Sequence, residues 1–169
     1  MFILLKDRPE NSTEDWWEVG SKAYRNYLES VKRRLPMAAY EFATATWHFN
    51  PESHRDLHDS WLEAIIISEP STGDRSQYRT IDITIRLLGP YHDGNIEITY
   101  RKVRSYSMVG TLDGSEAGEG HGDWLYDEIR LSARGCLLHE IEWSRGGDWL
   151  IECEDFEHRW MPFEKSLGE

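Results

Sequence analysis

What this chain has little of bounds it before any motif does. Only two cysteines, Cys136 and Cys153, occur in 169 residues, which excludes a disulfide-dense scaffold and leaves at most one bridge. Basic residues are scarce: 19 Lys and Arg stand against 31 Asp and Glu, a formal net charge of -12. That charge repels phosphate backbones and anionic lipid over a Debye length, ~8 Å at physiological salt, so neither nucleic acid nor membrane is an expected partner. Long hydrophobic runs are also missing. The opening Met1-Phe2-Ile3-Leu4-Leu5 ends at Lys6-Asp7-Arg8, too short for a signal segment, and nothing later approaches the ~20 apolar residues of a membrane span. A cytoplasmic, unexported protein is expected. There is no internal repeat, no HExxH and no other motif specific enough to name a reaction. The chain reads as leaning away from enzymes.

What is present begins with size and rings. The length suits one domain, because halves would bury too little surface. Eight Trp, eight Tyr and five Phe fill the core of a thin sheet-and-helix domain on the ordinary reading, and line a pocket on the sharper one. Trp16, Val19, Ala23, Tyr27, Val31 and Leu35 recur at helical steps, with Trp17, Tyr24 and Leu28 widening the face and Pro36 marking the stop. This predicts a helix over 13–35, with a capping signal at Ser12 and Asp15, and acidic Glu14 and Asp15 at its positive end. Lys32-Arg33-Arg34 are read as cations complementing its last turn rather than as a nucleic-acid patch.

After Pro36 the period changes to two. Strands are predicted over 39–48, 57–68, 78–88, 96–106, 124–131, 137–143 and 149–156, bounded by turn residues. With short connections and no helical crossover, the expected fold is α+β, mostly β: an N-terminal amphipathic helix on a curved antiparallel meander or partly closed barrel of about seven strands.

Three His-Asp pairs stand at strand ends: His58-Asp59, His92-Asp93 and His121-Gly122-Asp123. Imidazole beside carboxylate is raw material for a metal site or an oriented base. Matching the apolar alternation across residues 69–77 places His58 opposite Gly89, which brings the first two pairs to one end of the sheet and sends His121 and Asp123 to the other, unless the 110–122 loop folds back. His54, His58, Asp59, His92 and Asp93 are therefore the candidate ligands for a divalent metal, the one cofactor considered. The structural alternative is turn chemistry in Asp93-Gly94-Asn95 and a strand start held by Asp59.

Pairing the last three strands opposes Trp143 with Trp149, Ile141 with Ile151, and His139 with Cys153. Ile129 then faces His139 from the other side, with Asp127 its diagonal neighbour. Asp127, His139 and Cys153 would share an apolar face, the composition of a nucleophilic site, although a free Cys beside a core His is more often plain packing. Cys136 and Cys153 have opposite facing parity, so both should be free thiols. The glycine loop 110–122 has five glycines and three carboxylates but no Lys or Arg, and reads as a surface loop rather than a phosphate or calcium cradle.

On the reverse face Glu140 would oppose Glu152, with Glu142 and Glu154 beside them. Like charges on neighbouring strands are unfavourable, so either water solvates this ridge or a basic protein partner docks on it. The segment Leu57-His58-Asp59-Ser60-Trp61-Leu62, followed by strands such as Ile81 to Leu87 and Ile96 to Tyr100, resembles the strand start of small bacterial β-rich domains, some of them immunity proteins of polymorphic-toxin systems. The resemblance covers about the middle third of the chain. It implies a cytoplasmic, acidic, non-catalytic protein that binds a toxin, and it carries over no functional residues. The expected function is thus a protein-binding module, an immunity-type inhibitor. The runner-up is a small-molecule binder with an aromatic-lined cavity under the helix, and a metal-dependent or Cys-His hydrolase stands third.

Overall fold

Tyr24, Leu28 and Val31 are buried at helical spacing along the first helix, α1 (Asp15–Val31), in a computed structural model that describes residues 3–4, 15–110 and 120–164. The expected capping residues Ser12 and Glu14, the Asp15 side chain and loop residues 111–119 lie outside the described residues. The helix ends earlier than 35. Lys32, Arg33 and Arg34 lie in a turn beyond it, where Arg34 N–H donates to Val31 O at 2.8 Å. Val19, expected on the apolar face, is 64% exposed.

Residues 39–48, expected as a strand, instead begin with a second helix, α2 (Met37–Ala43). Pro36 precedes it with φ -53° and ψ 139°, a conformation that delivers the chain into a helix start, where a missing N–H leaves no bond unmade. Ala39, Phe42 and Ala43 are its buried residues, spaced i, i+3, i+4, and alanine favours the helix. Turns then occupy residues 44–59, so the first strand starts at Trp61 rather than 57.

Ten strands follow among the described residues: β1 (Trp61–Ser68), β2 (Ser71–Thr72), β3 (Tyr78–Arg79), β4 (Asp82–Leu88), β5 (Gly94–Arg101), β6 (Ser105–Met108), β7 (Trp124–Leu131), β8 (Leu137–Trp143), β9 (Asp148–Cys153) and β10 (Asp155–Pro162). The mostly β, antiparallel character is as expected. The layout is different: among the described residues there are two four-stranded sheets, ordered β1-β4-β5-β10 and β6-β9-β8-β7, a β2-β3 ribbon, and no closed barrel. The expected strands 78–88, 96–106 and 149–156 each divide because their chain changes sheet. Lys102, at φ 51°, bends β5 into β6, and the neighbouring chain bends at Glu154. The two bends stay paired, with Arg104 N–H donating to Glu152 O at 2.7 Å and Glu154 N–H to Arg101 O at 3.2 Å. At the opposite corner, Asp59 N–H donates to Trp124 O and Trp124 N–H to Ser60 O, both at 3.0 Å.

One core fills the space between these corners. Ile85, Leu87 and Ile98 of one sheet and Ile129, Ile141 and Ile151 of the other all belong to it. Trp124, Trp143 and Trp149 are fully buried in it, with ring centroids 5.3 and 4.9 Å apart along the series, so much of the aromatic load does fill the core.

Register departs from expectation in two hairpins. Trp61 faces Leu88 and Leu62 faces Leu87, then a bulge between Leu62 and Ala64 shifts the pairing to Ile65 with Ile85, while His58 lies outside the ladder. In the β8-β9 hairpin Ile141 faces Trp149, His139 faces Ile151 and Leu137 faces Cys153. This is a two-residue slip that preserves every facing direction. Its cause is a tighter turn, in which Trp143 N–H bonds Gly147 O and Gly146 takes φ 76°. The β7-β8 pairing of Ile129 with His139 is as expected. Helix α1 seals the outer edge of β7: Tyr24 Oη accepts from Ile129 N–H at 2.7 Å and donates to Ile129 O at 3.1 Å, and Tyr27 Oη accepts from Leu131 N–H at 2.8 Å. These bonds occupy backbone groups that an edge strand would otherwise leave open. No helix among the described residues is long and apolar enough to cross a membrane.

Candidate functional site

The residues expected as one metal cluster separate into distinct arrangements. His54 Nδ1 meets Asp93 Oδ2 at 2.6 Å, and Tyr91 stacks on that imidazole at 4.2 Å. His58 Nδ1 lies 3.0 Å from its neighbour Asp59 Oδ1. His92 packs edge-on against Trp61, 4.5 Å between centroids. Among the described residues no three His, Cys, Asp or Glu side chains gather as a metal would need. Asp59 and His92 have φ 65° and 55°, which makes both turn residues and accounts for their placement.

Asp123, expected with His121 at the far end of the sheet, lies beside Trp61. Trp61 Nε1 donates to Asp123 Oδ1 at 2.9 Å, and the two residues form a bridge between the starts of β1 and β7. The reason is the corner between the sheets, which returns the start of β7 to the start of β1. His121 instead packs on Trp143 and Trp149.

Asp127 and His139 do meet, in a fully buried chain of hydrogen bonds. Asp127 Oδ2 lies 3.0 Å from His139 Nε2, and its Oδ1 lies 3.0 Å from His48 Nε2 and accepts from Trp124 Nε1 at 3.1 Å. Tyr100 Oη lies 2.7 Å from His139 Nδ1. Burial opposes charge on Asp127, but His48 and His139 outweigh it and hold the carboxyl well below its usual range. Burial likewise opposes charge on His48, and Asp127 overcomes it, raising that pKa. Burial pushes Tyr100 well above 10. A neutral Tyr100 donating to Nδ1, with Nε2–H donating to Asp127, satisfies His139. Cys153 faces Leu137 instead of His139, and burial and the nearby Asp155 push its thiol up to about 12. The expected Cys-His-Asp constellation is therefore an Asp-His pair extended by His48 and Tyr100, with an inert thiol. Both cysteines are free, as expected.

Three of the four ridge glutamates, Glu140, Glu152 and Glu154, have cationic partners within the chain. Glu140 faces Leu150 on one side and Glu128 on the other, and Arg130 pairs with both carboxylates of that second pair. Glu152 faces Leu138, is only 6% exposed, and binds Ser105 Oγ at 3.0 Å with Arg134 at 3.5 Å. Hydrogen bonds from Ser132 and Ser105 and the Arg134 charge hold its pKa below the usual range. Glu154 pairs with Arg104 and Lys102, and Arg104 lowers its pKa. Glu142 faces Asp148 across one hairpin and Tyr126 across the other. The opposition of Glu140 to Glu152 fails because of the two-residue slip between β8 and β9.

A site that no motif marked lies where the first turn of α1 meets the 44–59 connection and β7. Trp16, Trp17, Phe49, Pro51, Asp56, His58 and Tyr126 line a recess of about 350 Å³. Most of its ring pairs stand at steep angles: Trp16 meets Trp17 and Tyr126 at 82° each, Trp17 meets Phe49 at 78° and His58 meets Tyr126 at 73°, while Trp17 and Tyr126 lie at 40°. Asp56 is 2% exposed. Its Oδ1 accepts from Phe49 N–H at 3.1 Å and from Leu57 N–H at 2.8 Å, whereas Oδ2 has no hydrogen-bond partner among the described residues. Burial raises the Asp56 pKa, with His48 pulling it down. The adjacent Trp16-Trp17 pair, the high aromatic count and the candidate His58 were its signals in the sequence. Asp56 had none, because it reaches the recess through turns that no periodicity reveals. Compared with known protein families and with curated proteins, the sequence matches none.

Proposed function

We propose that this chain is a non-catalytic binding module whose recognition element is the aromatic recess at the start of α1. The observation that carries the reading is the lining of that recess, aromatic rings beside a buried carboxylate with one oxygen that has no hydrogen-bond partner among the described residues. Ligand sites are concave, mostly apolar and supplied with few polar groups, with volumes from ~300 Å³ upward. The Asp127 network offers a substrate no approach, since Asp127, His48 and His139 are all buried.

The test is fluorine NMR of protein labelled with 5-fluorotryptophan, titrated with a panel of small neutral, anionic and cationic compounds. Binding in the recess shifts the Trp16 and Trp17 resonances and leaves those of Trp143 and Trp149 in place. A panel that leaves Trp16 and Trp17 unmoved would sink the reading.

A second reading, an immunity-type inhibitor that captures a basic protein, draws support from the net charge of -12, which speeds encounter with cationic partners. Because Glu140, Glu152 and Glu154 already have cationic partners, such docking would rely on other carboxylates.

A further inference from the structure

We infer that the recess takes a small alkylated ammonium ion, a quaternary or tertiary amine of the choline type, an assignment that rests on the binding reading above. Rings that meet at a corner turn faces toward one recess, and the faces of Trp and Tyr attract a cation placed against them. Trp16 stands at 82° to both Trp17 and Tyr126, which lie at 40° to each other, and with pairwise ring centroids 5.7, 6.5 and 5.8 Å apart the three rings form one corner of the recess. Behind them lies Asp56, whose Oδ2 has no hydrogen-bond partner among the described residues.

The chemistry also excludes other ligand classes. An anion would meet the Asp56 carboxylate in a low-dielectric wall and be repelled. A primary ammonium needs three acceptors. The recess offers few, since Asp56 Oδ2 is itself inaccessible to solvent and His58 Nδ1 is engaged by Asp59 at 3.0 Å. An alkylated ammonium carries its charge diffusely over methyl groups, asks for few hydrogen bonds and fits apolar walls. The net charge of -12 attracts any small cation toward the surface.

The decisive comparison is choline against 3,3-dimethylbutan-1-ol, its neutral isostere of the same shape, each titrated into the fluorotryptophan-labelled full chain and followed by calorimetry. Choline should shift Trp16 and Trp17 and bind about tenfold or more tightly than the alcohol, the factor expected from cation–π contact with these rings. Asp56→Asn keeps an oxygen for the Phe49 and Leu57 N–H groups and removes the charge. It should weaken choline about tenfold and leave the alcohol unchanged. Trp16→Leu keeps apolar bulk without the ring face and should lower choline binding selectively, while Trp61→Leu, outside the recess, should not. Equal affinity for choline and the alcohol overturns the cation assignment and leaves the binding reading standing. Absence of any choline-induced shift at Trp16 and Trp17, while another member of the panel binds there, overturns it as well. A trimethyl-lysine peptide binding tenfold tighter than free choline overturns the assignment to a small molecule.

Discussion

Asp127 shows how much can rest on one side chain. It is the single carboxylate shared by His48 and His139, and a buried charge that loses its partner is left uncompensated. Asp127→Asn should therefore cost about 3–5 kcal/mol in urea unfolding. Linkage gives the pH dependence its sign. The raised His48 pKa makes its contribution complete below about pH 6.5 and lost as pH rises through the higher folded value. The depressed Asp127 pKa makes its contribution complete above about pH 3.9 and lost as pH falls. The urea midpoint should therefore decline as pH rises above about 6.5, and His48→Gln should flatten that decline; an unchanged slope in the variant would remove His48 from this role. Half of this network was legible in the sequence. Asp127 and His139 follow from the alternation and turn of one hairpin, whereas His48 arrives through α2 and its turns, from a segment whose alternation reads as a strand.

At the scale of elements, the informative contact is that between α1 and β7. Tyr24 supplies both the acceptor for Ile129 N–H and the donor for Ile129 O, and burial holds its hydroxyl well above pKa 10, so it stays neutral. Tyr24→Phe preserves the ring and orphans two backbone groups. It should destabilise by about 1–3 kcal/mol and speed hydrogen exchange at the Ile129 amide, while exchange in β4 is unaffected at the local-opening level. The helix face containing Tyr24 was visible as periodicity, but its hydroxyl's target was not, because the target is backbone on a strand over a hundred positions away. The same limit explains α2. A seven-residue helix is too short for periodicity to outvote alternation, and what holds it is the packing of Phe42 against Phe156, 5.0 Å between centroids, in a strand reached only after the sheets form.

For the whole molecule, the two sheets share one core and are joined at both corners by backbone hydrogen bonds. They should unfold together. Far-UV circular dichroism and tryptophan fluorescence should trace one coincident denaturant transition, whereas two separated transitions would mean that the sheets are independent. Composition, the antiparallel β class, the amphipathic first helix and the inward face of β7, β8 and β9 were set by the sequence alone, because period and turn chemistry are local properties and survive a register slip of two. Tertiary structure decided where strands change sheet, which carboxylates acquire cations, and how Trp16, Trp17, Phe49, Asp56 and Tyr126 converge. Those outcomes depend on contacts between distant segments, whose partners no local period can name.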